Sequence, residues 1–291
     1  MKRWPLFSSL ALALAVLAGC ATLDERQRAW IFQPGDRSWS RGEEAARGMD
    51  DVWITFDSRV TGQPVRLHGL WLAADTPRPA EAPVLLYLHG ARWNVTGSSQ
   101  RIRRMQELGF SVLAIDYRGF GKSSPDLPSE QMAAEDARAA WDWLAASHPR
   151  QPRYIFGHSL GGAIAIELAT RVDDERGTIV EGTFTSIADL VGSFRWGWLP
   201  VSPLITQRFE SSARVDRIGS PLLVVHGSDD SLIRPELGRR LFEAAAAPKL
   251  FVQVEGGSHH NTNAVGQPQY RQALAQLFGP PFTRLAALGP K

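Results

Sequence analysis

A serine between two glycines, near the middle of the chain, has the residue types and spacing of a catalytic nucleophile. Ser159 lies in the pattern G-H-S-L-G over residues 157–161, after the apolar stretch 154–156 and before a run typical of a helix. In a G-x-S-x-G turn between strand and helix, the glycines let neighbouring backbone approach without a Cβ, and the serine is held at the apex. We predict that Ser159 is presented as a nucleophile, although five-residue patterns of this kind also occur by chance.

A serine hydroxyl is a poor nucleophile at neutral pH, so it needs a general base and an acid that orients the base. Two later segments supply these types: H-G-S-D-D at 226–230 and G-G-S-H-H at 256–260, each directly after an apolar strand-like run. The carboxyl ends of parallel strands meet at one edge of a sheet, which predicts that both segments lie near Ser159. On the residues alone, either aspartate and either histidine of these segments could serve.

Other titratable residues near strand ends have structural interpretations. His89 and His226 each precede a glycine in a strand-end loop, which favours a hydrogen-bonded structural histidine over a base. Asp116 and Arg118 are predicted to form a pair that orders their own loop. His158 occupies the variable position of the serine pattern, and no role is predicted for it.

The elements that must position these residues alternate between strand and helix. Residues 84–88 form a continuous apolar run typical of a buried strand, and further strands are predicted to begin at residues 111, 154, 177, 222 and 249, with helical periodicity between several of them. Strict alternation of this kind predicts a doubly wound parallel sheet, because each parallel pairing needs a crossover. The alternating stretches 52–56 and 65–72 predict an antiparallel entry hairpin, so the fold class is α/β with an eight-stranded, mostly parallel sheet.

The predicted domain covers residues 51–280 and is followed by a tail, 281–291. Within it, residues 193–218 depart from the alternation: the segment is apolar and aromatic but irregular. We interpret it either as a small cap inserted over the site or as an ordinary long crossover with one buried side. The sequence does not say whether such a cap moves as a lid.

The N-terminus reads as a secretion signal. Lys2 and Arg3 precede an apolar run from Leu6 to Ala18, which as a helix would span about 20 Å, short of the roughly 30 Å hydrocarbon layer. Residues 1–19 are therefore predicted to be a signal peptide. The ending L-A-G-C resembles the lipobox of bacterial lipoproteins. That resemblance implies a lipidated Cys20 and, from residue 20 to residue 50, a tether that leads into the domain, with anchoring at the outer membrane facing the periplasm.

Composition excludes several other classes of function. The 32 Lys and Arg nearly balance the 30 Asp and Glu, so the chain has no electrostatic footprint for nucleic acid. It contains no H-E-x-x-H motif, no cysteine pair and no phosphate-binding G-x-x-x-x-G-K-[ST] loop. We therefore predict no metal and no cofactor, and the sequence indicates no obligate protein partner.

Taken together, the motifs resemble α/β-hydrolases of the serine hydrolase type, and most of all the bacterial Bem46-like group, over about residues 30–278. The resemblance implies Asp230 as the acid, with the neighbouring Asp229 as the second candidate. It implies His259 as the base, although H-H-N departs from the commoner H-N-D ending and leaves His260 open. It also implies the backbone N–H groups of Leu160 and Ala91 as oxyanion donors. The motifs that carry it are L-H-G at 88–90, D-Y-R-G-F-G-K-S at 116–123, G-H-S-L-G-G at 157–162, H-G-S-D-D at 226–230 and G-G-S-H-H-N at 256–261.

The resulting expectation is a cofactor-independent hydrolase of small carboxylic esters or thioesters, anchored to a membrane through Cys20. A peptidase or an acyltransferase could use the same three side chains. A binding or scaffold lipoprotein that keeps the fold without turnover is the alternative from another class. Substrate identity, acyl-length preference and oligomeric state are not readable from the sequence.

Overall fold

A computed structural model describes residues 19–35, 40–194, 197–246, 248–280 and 282–283. The predicted signal peptide lies outside these residues except for Gly19, and so does the predicted C-terminal tail except for residues 282–283.

The centre of the described chain is an eight-stranded sheet with the order β1-β2-β4-β3-β5-β6-β7-β8. β1 pairs with β2, and β2 with β4, in antiparallel orientation, and all other neighbours are parallel. This confirms the predicted α/β class and the antiparallel entry hairpin. The strands are β1 Asp50–Asp57, β2 Pro64–Leu72, β3 Val84–Leu88, β4 Ser111–Ile115, β5 Arg153–His158, β6 Glu175–Glu181, β7 Leu222–Gly227 and β8 Lys249–Val254.

Helices cover both faces of this sheet. One apolar cluster joins one face to α4, α5 and α7, and a second joins the other face to α3 and α9. The central strands therefore bury both sets of side chains: Leu86 belongs to the first cluster and its neighbour Tyr87 to the second. This explains why their sequences are continuously apolar. The helices are α1 (residues 19–32), α2 Ser40–Ala46, α3 Ser99–Glu107, α4 Glu130–Ser147, α5 Leu160–Ala169, α6 Ile187–Gly192, α7 Pro235–Ala244, α8 Thr262–Val265 and α9 Gln267–Phe278.

The segment predicted as a tether starts with an ordered helix, α1. Residues 20–33 contain no proline or glycine and are rich in good helix formers, and Pro34 and Gly35 follow where the helix has ended. Gln27 donates to the Leu204 carbonyl and Arg28 to the Pro128 carbonyl, so α1 lies against the domain. Phe32, at the end of the helix, is fully buried in the domain core, whereas Trp30 is 55% exposed.

The irregular segment 193–218 joins α6 to β7 and has two different halves. Its first half exposes large apolar side chains, including Trp198 and Leu204, while its second half buries Phe209 and Val215 in the core. The segment therefore combines a solvent-facing part with a packed crossover. Over the residues that the structure describes, no helix is both long and apolar enough to cross a membrane.

Candidate active site

Ser159 stands at a strained turn between β5 and α5. Its φ of 57° lies in the left-handed region, which non-glycine residues rarely adopt. A Cβ on Gly157 would come within 2.2 Å of the Gly161 carbonyl oxygen, and a Cβ on Gly161 within 2.2 Å of the Leu88 carbonyl oxygen. Both glycines are thus sterically required, and they allow the turn to hold the half-buried serine at the carboxyl end of the sheet.

A continuous chain of hydrogen bonds runs from Ser159 through His259 to Asp230. His259 Nε2 lies 3.0 Å from Ser159 Oγ, and His259 Nδ1 lies 2.8 Å from Asp230 Oδ2. The other carboxylate oxygen, Oδ1, accepts from the backbone N–H groups of Leu232 and Ile233 at 3.0 and 2.8 Å. Since Asp230 accepts at Nδ1, the imidazole carries its proton there, and Nε2 is left free to accept the serine proton.

The surroundings of Asp230 keep it ionised. Burial by itself favours the neutral acid, but hydrogen bonds from the His226 and His259 side chains outweigh it and hold the pKa of Asp230 well below its ordinary value. Asp230 is 3% exposed and His259 6% exposed. The carboxylate is therefore a fixed negative charge that can stabilise a neighbouring imidazolium.

Asp229 and His260, the two alternatives that the sequence left open for the acid and the base, lie outside this chain of hydrogen bonds. Asp229 is exposed and accepts a hydrogen bond from the Ser228 hydroxyl at 2.9 Å. The ring of His260 is also exposed and meets the His259 ring edge-on, with 5.4 Å between the centroids. Among the described contacts, neither side chain touches Ser159, so the geometry favours Asp230 and His259 for the acid and the base.

The two residues expected to supply oxyanion donors belong to segments next to Ser159. Leu160 is the first residue of α5, so its N–H has no acceptor within the helix. Ala91 follows Gly90, where a Cβ would lie only 3.0 Å from the Ser159 Cβ, so this loop passes directly over the nucleophile. The N-terminus of α5 adds its positive dipole end to the same place. The assignment of these two N–H groups to an oxyanion stays a prediction.

The structural interpretation of His89 and His226 is confirmed. Both are buried, and each ring bonds a backbone carbonyl: His89 that of Gly90 at 2.7 Å, and His226 that of Ile233 at 2.9 Å. Burial lowers the pKa of His89, which keeps the ring neutral. Neither ring bonds Ser159, but His226 Nε2 also lies 3.5 Å from Asp230 Oδ2 and so helps to hold the acid in its charged form.

The predicted pairing of Asp116 with Arg118 is wrong. Asp116 accepts from the Val95 N–H at 2.6 Å and lies 3.2 Å from His68 Nδ1. Arg118 instead points to α4, where its guanidinium bonds Asp136 at 2.8 Å and Glu135 at 2.6 Å. Residues 116–118 lie in the loop after β4, where the regular alternation of side chains has ended, and the packing of α4 against this loop determines the partner of Arg118.

Sequence reasoning missed a buried polar cluster next to the site. Arg101 of α3 bonds Glu181 at the end of β6, at 3.0 Å, and the Tyr270 hydroxyl of α9 donates to the same carboxylate. His158, for which no role was predicted, donates to the His259 carbonyl. Three of these side chains come from positions about 80 residues or more apart in sequence, and no local pattern joins them.

The sheet topology, the tight turn that holds Ser159 between β5 and α5, and the Ser–His–Asp geometry define a protein of the α/β-hydrolase class. Solved structures agree on the fold: an esterase of Pyrococcus furiosus, Pf2001, superposes with a TM-score of 0.65 at 20% identity, covering 84% of this chain and 97% of that one. A puromycin-hydrolyzing peptidase of Mycobacterium tuberculosis superposes with a TM-score of 0.62 at 18% identity, covering 79% and 40%.

Sequence comparisons give the family. A family model described as Serine aminopeptidase, S33, matches residues 79–211. An uncharacterized protein of Mycobacterium tuberculosis is 36% identical over 293 residues, 99% of each chain, and this protein belongs to the same family. Lysophosphatidylserine lipase ABHD12 of Danio rerio is 34% identical over 187 residues. That match covers 57% of this chain and 48% of the lipase, so the chain spans about half the length of that relative.

Proposed function

We propose that this protein is a serine hydrolase of carboxylic esters or thioesters that works through an acyl-enzyme intermediate. The observation that carries the proposal is the unbroken chain of hydrogen bonds from Asp230 through His259 to Ser159, at 2.8 and 3.0 Å. It ends at a half-buried serine in a strained turn at the start of α5, and the loop at Gly90 passes beside it. Acyl transfer needs a nucleophile, a base and an orienting acid of this kind, and we assign the oxyanion donors that it also needs to the N–H groups of Leu160 and Ala91.

In the proposed mechanism, Ser159 Oγ attacks the substrate carbonyl carbon while His259 Nε2 takes the hydroxyl proton. The negative charge that forms on the carbonyl oxygen is met by the N–H groups of Leu160 and Ala91; a donor of this kind typically contributes about 2.7–4 kcal/mol. Asp230 stabilises the imidazolium without taking its proton. The intermediate collapses as His259 protonates the leaving alcohol or thiol, and water then repeats the sequence in reverse to release the acid.

The choice of esters over peptides rests on two similarities. The lysophosphatidylserine lipase of Danio rerio and the Pyrococcus furiosus esterase carry ester hydrolysis in their names. The family model and one structural neighbour are described instead as peptidases. A peptidase with the same three side chains is therefore the second candidate. Membership of the Bem46-like group remains part of the proposal.

We also propose that the enzyme is a lipoprotein of the bacterial envelope, held at the outer membrane by acyl chains on Cys20. Cys20 is exposed at the start of α1, where a modifying enzyme could reach it. The test is mass spectrometry of the full chain expressed in bacteria. A lipidated Cys20 at the mature N-terminus is the expected result, and a Cys20→Ser variant should stay unmodified and unanchored. An uncleaved, unmodified N-terminus in the unchanged protein would contradict the proposal.

The central test is a fluorophosphonate probe on the detergent-solubilised full chain. We expect labelling on Ser159, no labelling of Ser159→Ala, and turnover of p-nitrophenyl esters with an initial burst. A panel of esters and thioesters graded by acyl length, run beside aminoacyl and peptide amides, then separates the two candidates. Labelling of a different serine would refute the mechanism. Folded protein that is neither labelled nor active would instead support a binding or scaffold lipoprotein.

A further inference from the structure

His158, the variable residue of the serine pattern, makes a contact that bears directly on the candidate base. Its Nε2–H donates to the backbone carbonyl of His259 at 3.0 Å. The ring is 8% exposed, and burial, with a contribution from the nearby Arg101, lowers the pKa of His158 well below its ordinary value. His158 is therefore a neutral imidazole with its proton on Nε2.

Three segments of the candidate site meet at this one ring. His158 is the residue before Ser159, its ring lies 4.9 Å from the His259 ring between centroids, and a Cβ on Gly90 would lie 3.5 Å from its Nδ1. The ring therefore lies beside the nucleophile turn, the loop that carries the base and the loop that carries Ala91. None of the other polar side chains that bond the triad bridges these three segments within the described residues.

The first half of the loop that carries the base is tied by hydrogen bonds to the loop after β7, whereas the base itself lies in the second half. His259 lies in residues 255–261, outside any helix or strand, and follows β8, the edge strand of the sheet. Its side chain is bonded to Asp230 and Ser159. The carbonyl of His259 is held by His158, and the next carbonyl, that of His260, accepts from Arg101 at 3.4 Å. Two consecutive carbonyls of this loop are thus tied to the body of the domain.

Arg101 is itself fixed by buried partners. It bonds Glu181 at 3.0 Å, Glu181 is 1% exposed, and the Tyr270 hydroxyl occupies the other carboxylate oxygen. The backbone carbonyl of Glu181 also accepts from the Ser159 N–H at 2.9 Å. The residue that anchors Arg101 therefore also holds the nucleophile, so the nucleophile and the base loop share a common support.

We propose that His158 is a positioning residue for the candidate reaction: by holding the His259 carbonyl, it fixes the imidazole at proton-transfer distance from Ser159, with Arg101 acting at the adjacent carbonyl. The inference rests on the proposed function, since it concerns the same base and nucleophile. A displacement of about 1 Å in a catalytic group can reduce turnover by about a hundredfold. We expect the loss of the His259 carbonyl contact to allow such a movement.

A matched pair of amides separates this role from simple packing. The side-chain N–H₂ of His158→Gln lies where Nε2 lies in histidine and can donate to the His259 carbonyl. In His158→Asn the same group lies at the position of Nδ1 and falls short. Both variants are neutral and polar, so they differ mainly in reach.

The expected result is that His158→Asn lowers kcat about tenfold or more on a soluble p-nitrophenyl ester, with KM changed less than about twofold. Tenfold corresponds to about 1.4 kcal/mol, the order expected when a buried carbonyl loses its donor. His158→Gln should restore most of kcat. Thermal unfolding of both variants supplies the structural control, because a packing effect would lower Tm in both and would not separate kcat from KM.

Arg101→Lys provides a second, independent measurement. Lysine keeps the charge beside Glu181 but, as a single point of contact, cannot hold both the carboxylate and the His260 carbonyl. If the two contacts position one loop, the double variant with His158→Asn should lose less than the product of the single losses in kcat. Independent, multiplicative losses would overturn the shared role of Arg101.

The outcomes distinguish this inference from the proposed function. Unchanged kcat in folded His158→Asn, or equal losses in the asparagine and glutamine variants, would refute the positioning role while leaving the hydrolase assignment intact. Absence of both turnover and fluorophosphonate labelling in the unsubstituted protein would refute the hydrolase assignment itself. Normal turnover that survives Ser159→Ala would do the same.

Discussion

Replacement of Asp230 by asparagine tests the candidate mechanism most directly, because the surrounding backbone dictates how the amide must lie. Asp230 Oδ1 accepts two N–H groups, from Leu232 and Ile233. An asparagine must keep its carbonyl oxygen at that position, since its N–H₂ there would face two donors. The N–H₂ then points at His259 Nδ1 and donates to it.

That reversal changes the tautomer of the base. With Nδ1 accepting, the proton of the neutral imidazole moves to Nε2, which faces Ser159 at 3.0 Å. His259 can then no longer accept the serine proton. A wrong tautomer of this kind lowers kcat by about 10⁴-fold, or about 5.4 kcal/mol at 1.36 kcal/mol for each factor of ten. The two backbone hydrogen bonds survive, so the loss in unfolding free energy should be only about 1–3 kcal/mol, that of one charge-assisted hydrogen bond.

The measurement is the rate of p-nitrophenyl ester hydrolysis and of fluorophosphonate labelling, with thermal unfolding to show that the protein is folded. Asp229→Asn is the matched control: it is the same substitution one residue earlier, on an exposed side chain that bonds the Ser228 hydroxyl. We expect it to keep full activity. A folded Asp230→Asn protein within tenfold of normal kcat, or an equal loss in Asp229→Asn, would refute the reasoning.

Three further predictions follow from the same contacts. His260→Ala should keep kcat within about threefold, because its exposed ring does not contact the nucleophile. A loss of kcat as large as that in His259→Ala would reverse the assignment of the base. Gly161→Ala should abolish labelling or folding, since its Cβ would meet a backbone carbonyl at 2.2 Å, whereas Gly219→Ala, with no atom within 4 Å of its Cβ, should be neutral in Tm and activity. The depressed pKa of Asp230 stabilises the fold above its unfolded pKa of about 3.9, and this contribution is lost as pH falls toward the folded pKa. Urea unfolding at pH 5 and at pH 3 should therefore show that the unsubstituted protein loses more unfolding free energy between these two pH values than Asp230→Asn does. Equal losses in the two proteins would contradict this prediction.

Much of the fold could be predicted because local patterns and long-range packing agree there. The strands β3, β4 and β7 are continuously apolar since they are buried on both faces, and the predicted starts fall within a residue or two of those observed. β6 ends at Glu181 because the next residue, Gly182, has a φ of 56°, in the left-handed region. Residues 20–50 were predicted as a tether, but Pro34 and Gly35 interrupt the chain only after residue 33, so the helix formers before them are continuous and form α1.

The sequence by itself determined the chemistry that is available at Ser159. The required glycines at 157 and 161, and the order of serine, aspartate and histidine at successive strand ends, follow from short-range sterics and from the topology of a parallel sheet. Only the tertiary structure decided which partners meet. In the folded chain His259 and not His260 bonds Ser159, Arg118 bonds Asp136 of α4, and His158 donates to the His259 carbonyl. These contacts join residues from 17 to 101 positions apart, and the packing of separate elements determines them, so no local pattern can encode them.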